Sequence, residues 1–248
     1  MMPDVTALAA LAGIAVLLGA GLQSATGFGF GLVATPLLFA ATSPEEAVGL
    51  MMLLGVEINA LTLAGERRRP APLRKEVARL IAWALPGMLV GVAVLRALDE
   101  TALQLLVTVA VLGSLAVRRA RPSGGPPGRW ALPAAGLASG ALNTATSTSG
   151  PPLVLYLLRR RARPEQVRDT LGVIFLSFSF LGIAALAVTG TTEAIPEAGV
   201  VAATVPLVLL GHLAGRRVFA RLPARRYELV LTLTLVATVL SGLLLVLL

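Results

Sequence analysis

Two stretches carry the residues whose types and spacing suit chemistry. The second of them, Asn143 to Tyr156, reads NTATSTSGPPLVLY. It supplies Asn143, Thr144, Thr146, Ser147, Thr148 and Ser149, then Gly150, then a Pro151–Pro152 pair that opens an apolar run. Amide, hydroxyl and glycine backbone groups all donate hydrogen bonds. A helix that starts at prolines leaves its first N–H groups unpaired, with a partial positive charge at that end. Such an end is an anion site, and Ser149 stands where a capping residue belongs. The first stretch, QSATGFGFGLVATP, repeats the design with Gln23, Ser24, Thr26, Gly27, Gly29 and Gly31. These two sets are the candidate substrate contacts. The competing reading of the glycines is close helix packing, and of the hydroxyls, bonding to their own helix backbone.

Three further residues are candidates for proton coupling. Glu57 is the sole acid deep inside an apolar segment, and Asn59 follows two positions later. Charge is costly there, so a proton can come and go. His212 is the single histidine. Glu57 reads equally as a protonated acid bonded to a neighbouring helix, and a lone histidine on a packed helix is more often structural than a relay. Cysteine is absent, and there is no phosphate-binding loop, zinc spacing or nucleophile–base pair. No metal and no cofactor is expected, and an enzyme is disfavoured.

The elements that must position these groups are apolar helices. The chain of 248 residues is 56% hydrophobic, with a mean hydropathy of +0.84. Soluble domains are nearer 45–50% apolar. Apolar segments fall at 5–24, 27–41, 45–64, 77–98, 101–117, 130–142, 151–158, 167–189, 198–215 and 227–248. A bilayer needs about 20 residues of helix, so 130–142 and 151–158 are too short to cross, and 27–41 is also short. The start, MMPDVTALAALAG, has Asp4 and no basic residue before its apolar run, unlike a cleaved signal peptide.

The net charge of +8 would suggest nucleic acid in a soluble protein, but its placement speaks for orientation and against that partner. All Lys and Arg except Arg96 fall in four clusters, Arg67–Arg79, Arg118–Arg129, Arg159–Arg168 and Arg216–Arg226. The positive-inside rule puts all four in the cytoplasm. The acidic connections Ser43–Glu46, Asp99–Glu100 and Thr189–Glu197 then lie outside. With Arg129 and Arg159 on one side, 130–158 is a re-entrant hairpin with its tip at Asn143–Ser149. By analogy 5–41 is a hairpin entering from outside; the alternative is two complete crossings. Both termini are expected in the periplasm.

The halves read as copies. SPEEAVGLMML at Ser43 matches RPEQVRDTLGV at Arg163, and GMLVG at Gly87 matches GHLAG at Gly211. The loop charges are opposite, as an odd number of crossings per copy requires. The expected fold is an all-α polytopic membrane protein of two inverted repeats, 1–119 and 130–248, joined by a Pro/Gly-rich linker at 120–129. Each repeat is a re-entrant hairpin plus three transmembrane helices. Broken helices at matching places of inverted repeats mark a transporter site.

With the motifs GLQSATGFGFGLVATPLL and GPPLVLYLL and two homologous halves, the chain resembles the sulfite exporter TauE/SafE family of membrane transporters. The likeness covers nearly its whole length, although the second motif, NTATSTSG, has less glycine than the family usually shows. The resemblance implies a carrier for sulfite, sulfoacetate or related small anions in a bacterial inner membrane. Export without nucleotide is the leading expectation. The alternatives are an importer, or a carrier of a carboxylate or a metal ion. The partners expected are a small anion and the lipid bilayer, with a homo-oligomer left open.

Overall fold

The computed structural model describes residues 5–65, 69–119, 128–160 and 163–219. The last expected span, 227–248, and most of the linker lie outside the described residues. Among those described, all regular structure is helical: α1 Val5–Thr26, α2 Phe30–Phe39, α3 Pro44–Ala64, α4 Arg74–Ala97, α5 Glu100–Arg119, α6 Ala131–Thr146, α7 Gly150–Arg159, α8 Pro164–Val188 and α9 Ala198–Phe219, with one 3₁₀ turn at Thr192–Ala194. Five of these, α1, α3, α4, α8 and α9, are long and apolar enough to cross a membrane.

Local chemistry sets the boundaries. Proline opens both α3 and α8, where no N–H is needed. Ser43 Oγ accepts from the Glu46 N–H at 3.2 Å, and Gln166 Oε1 accepts from the Arg163 N–H at 3.4 Å. The short legs behave as their lengths require. Helices α2 and α7 have ten residues each, about 15 Å at 1.5 Å per residue, half of a ~30 Å hydrocarbon layer. Helix α1, at 22 residues, is long enough to span, so the two legs of the first break are unequal.

Glycine contacts fasten these hairpins to distant helices. Helix α4 packs on α6 and α9 packs on α1 more closely than any other pairs. A Cβ at Gly87 or Gly91 would overlap the carbonyl oxygens of Leu137 or Ala141, and one at Gly211 or Gly215 those of Leu17 or Gly21. The small residues of GMLVG and GHLAG are therefore packing residues, as small-xxx-small contacts are in membranes. Helix α3 packs on α8; α9 also contacts α3, and α4 contacts α8. Two apolar clusters result. One gathers Val16, Phe39, Leu54 and Ile58, the other Leu80, Met88, Leu153 and Phe178. Leu85, Leu89, Val90, Val109 and Phe180 stay exposed on the outside of the bundle, where lipid rather than water accommodates them.

The backbone approach at Gly91 makes a direct test. Gly91→Leu should lower stability by about 1–3 kcal/mol through overpacking, because Cβ meets the backbone carbonyl of Ala141 and the Thr144 hydroxyl, which is held by its bond to Met88 O. Thermal unfolding in detergent reads this, and an unchanged midpoint would mean that the α4–α6 contact is slack.

Polar groups tie the ends of α4, α7 and α8 together. Buried Glu76 accepts from the Tyr156 hydroxyl and from the Arg160 guanidinium. The Ala71 N–H donates to Asp169 Oδ2 at 2.7 Å and the Leu73 N–H to Thr170 Oγ1 at 3.0 Å.

Candidate functional site

Both breaks are built alike. Helix α1 stops at Thr26 and is followed by Gly27 at φ +84°; α6 stops at Thr146 and is followed by Ser147 at φ +54°. That left-handed turn suits glycine, whereas a serine there is strained. Counted from the last helical residue, Gln23 matches Asn143, Ser24 matches Thr144 and Gly31 matches Pro151. The second tip closes by backbone bonds from the Ser147 N–H to Asn143 O (2.9 Å) and from the Thr148 N–H to Leu142 O (3.2 Å).

The two tips meet. A Cβ on Gly31 would overlap the carbonyl oxygen of Ser147, and one on Gly150 would lie 3.8 Å from the Phe28 ring. Beside this contact is a cavity of about 50 Å³. Of the residues singled out from sequence, Gln23, Gly29, Gly31, Asn143, Ser147, Thr148, Ser149, Gly150 and Asn59 line it. Ser24, Thr26, Gly27, Thr144, Thr146, Glu57 and His212 do not.

The amide side chains of the lining are held by hydrogen bonds. Gln23 Nε2 donates to Asn59 Oδ1 (2.8 Å), Gln23 Oε1 accepts from the Phe30 N–H (3.2 Å), and Asn59 Nδ2 donates to Gly55 O (2.7 Å). This buried chain fixes the start of α2 against α3. Asn143 Nδ2 donates to Phe178 O (3.1 Å) and toward Met52 Sδ (3.6 Å), which anchors the second tip to α8 and α3. Ser147 Oγ is buried without a partner.

Ser149 departs from the expectation that it caps α7. It sits at φ −67°, ψ −10° with no side-chain cap bond. An N-cap oxygen accepts from the N–H of the second or third helical residue, and here those are Pro151 and Pro152, which have none. Its hydroxyl is left to the cavity. The same prolines remove two of the N–H donors expected at this end. The backbone donors that remain are those of Ser149 and Gly150, with Gly31 and Leu32 at the first tip.

The residues that miss the cavity hold the tips from behind. Thr144 Oγ1 donates to Met88 O at 2.6 Å. Ser24 Oγ donates to Ala20 O (2.7 Å), so His212 donates from Nδ1 to Ser24 Oγ (2.7 Å). Thr26 Oγ1 bonds within its own turn to Phe28 O (2.5 Å), and Thr146 pairs with Thr148 (2.6 Å). Glu57 is half-buried, with Oε2 unpartnered.

Sequence reasoning missed Phe30, Leu32, Met51, Met52, Gly55, Phe175 and Ser179, which complete the lining. Only Ser179 had a signal: aligning Pro44 with Pro164 and continuing along both helices sets it opposite Asn59. Arg168 was read as an orientation charge; its Nη2 donates to Ser24 O at 2.8 Å, and its Cγ lies 2.7 Å from where a Gly27 Cβ would be. Among the described residues no group of three His, Asp or Glu side chains converges on a metal position.

The family model for the sulfite exporter TauE/SafE matches residues 11–242. A curated relative from Cupriavidus necator, the probable sulfite/organosulfonate exporter TauE, is 31% identical over 219 residues, covering 84% of this chain and 83% of its own. No solved structure matches.

Proposed function

The chain belongs to the sulfite exporter TauE/SafE family, and from that premise we propose that this membrane transporter exports a small sulfur oxyanion through the cavity where its two tips meet. The observation that carries the reading is the meeting itself. Two helix starts, α2 and α7, bring the unpaired N–H groups of Gly31, Leu32, Ser149 and Gly150 to one cavity, with Gln23 and the hydroxyl of Ser149 beside them. Anions gain there from hydrogen bonds and from the helix ends together.

Two inverted repeats, 1–119 and 130–248, are the architecture we propose. Matching breaks, matching proline starts and the reciprocal grip of α4 on α6 and α9 on α1 support it. In that arrangement the tips lie near the bilayer midplane. An inside-negative potential then drives a monovalent anion outward by about 2.3 kcal/mol per 100 mV, so export needs no nucleotide.

Reconstitution into liposomes tests the function: sulfite leaves loaded vesicles faster with the protein than without it, unchanged chemically. Flux of neither sulfite nor an organosulfonate would remove the reading. Orientation is tested separately, because the chain has no cysteine of its own. Single cysteines at Ser123 and Arg163 should label from the cytoplasm, and at Glu45 and Glu193 from the periplasm. Labelling of Arg163 and Arg121 from opposite faces would replace the second hairpin by a full crossing.

A further inference from the structure

The lining contains no Lys, Arg, His, Asp or Glu. Its walls are apolar where they are not amide, hydroxyl or backbone: Leu32, Met51, Met52 and Phe175. The cost of moving an ion from water into such surroundings scales with the square of its charge, so a dianion meets about four times the penalty of a monoanion. Helix ends carry only partial charges of about +0.5 each. Two of them balance one negative charge and not two.

Hydrogen-bond polarity points the same way. Ser179 Oγ donates to Phe175 O at 3.0 Å, so it presents a guest with lone pairs alone. Asn143 has both amide hydrogens directed to Phe178 O and Met52 Sδ, which leaves Oδ1. The backbone N–H groups and the Ser149 hydroxyl donate. A guest with negative oxygens and one O–H satisfies both sets. A fully deprotonated guest turns negative oxygens toward Ser179 and Asn143.

Size closes the argument. A buried water needs about 10–15 Å³ of such space, so about 50 Å³ holds roughly three to five water positions. That is room for one pyramidal oxyanion at the tips, and a carbon chain bearing a second acid group brings the second charge with it.

We propose that the cavity selects a small singly charged oxyanion that carries its own proton, of the hydrogen sulfite class, over the sulfite dianion, sulfate and longer sulfonates. The inference rests on the exporter reading above and narrows it. One negative charge and one proton then cross together on the same molecule, and no protein carboxylate is required to move the proton. Inside the bundle, the charged and titratable groups on the surrounding elements are Glu57 on α3, Glu76 on α4, Tyr156 on α7, Arg168 and Asp169 on α8 and His212 on α9; α1, α2 and α6 carry none among the described residues.

Chlorate separates guest titration from protein titration, because it is a pyramidal oxyanion with one fixed charge at every working pH; lacking the O–H, it should compete more weakly than hydrogen sulfite. In liposomes at constant total sulfite, flux should fall about tenfold per pH unit above the point where the dianion becomes the major species. Competition by chlorate should stay level across the series, and sulfoacetate should not compete. Sulfite flux that holds level or rises with pH overturns the proposal. So does chlorate competition that falls in parallel with sulfite flux, since the protein would then be what titrates. If the reconstituted protein moves no sulfite, the exporter reading fails by itself. Calorimetric binding of chlorate but not sulfate to the detergent-purified protein would then still uphold the charge class, and equal binding of both would overturn it.

Discussion

Gly31→Ala should abolish sulfite flux, by about 100-fold or more, in a protein that still inserts and folds. The added Cβ overlaps the Ser147 carbonyl oxygen. This neighbour is backbone, held by the bonds from the Ser147 and Thr148 N–H groups to Asn143 O and Leu142 O, so it cannot swing aside as a side chain would. The tips must separate, and donors on α2 and α7 then fall outside hydrogen-bond reach of one shared guest, since such bonds weaken steeply with misalignment. A displacement near 1 Å at a reacting or binding constellation costs about 10²-fold. The global penalty is smaller, about 1–3 kcal/mol of overpacking, because the rest of the bundle is untouched. Flux in liposomes, paired with thermal unfolding, separates the two. Normal flux in Gly31→Ala would mean that the tips do not share the substrate.

Ser149 offers the second large effect, with opposite signs on stability and binding. Ser149→Ala removes one hydrogen bond to a charged guest, worth about 1.5–3 kcal/mol, or roughly ten- to a hundred-fold in affinity. Ser149→Asp places a fixed carboxylate at the start of α7. The helix end welcomes it, so the unfolding midpoint should not fall. The guest meets a like charge, worth about 4 kcal/mol at 4 Å and an effective dielectric near 20, on top of the lost bond. Binding should drop by about 10³-fold or more beyond alanine. A Ser149→Asp protein that transports the anion normally would move the site elsewhere, and one that gains cation flux would favour a metal-ion carrier.

The breaks were legible because glycines, prolines and hydroxyls stand out against apolar helix, and because legs as short as 151–158 cannot cross. Which hydroxyl faces the cavity was not. Consecutive helical residues differ by about 100° in direction, so Gln23 and Asn143 line the cavity while Ser24 and Thr144, one position on, face the helix packed behind. Their partners, His212 and Met88, lie on helices far away in the chain. The apolar wall was invisible for another reason: Met51 and Phe175 are of the same types as core residues such as Met88 and Phe178. Ser149 was misread although the cause was in plain sight, since Pro151 and Pro152 have no N–H to offer a cap.

The grip of α9 on α1 also sets a timetable for biosynthesis. Helix α1 leaves the ribosome first, yet the face at Leu17 and Gly21 that receives Gly211 and Gly215 stays uncovered until most of the chain has been made. The face of α6 that receives Gly87 and Gly91 has its partner waiting when it emerges. The amino-terminal hairpin is thus the first to be inserted and the last to be locked, and in the interval its glycine face is open to lipid, to a membrane chaperone or to proteolysis. A nascent chain arrested before α9 should show α1 cut readily and α6 protected.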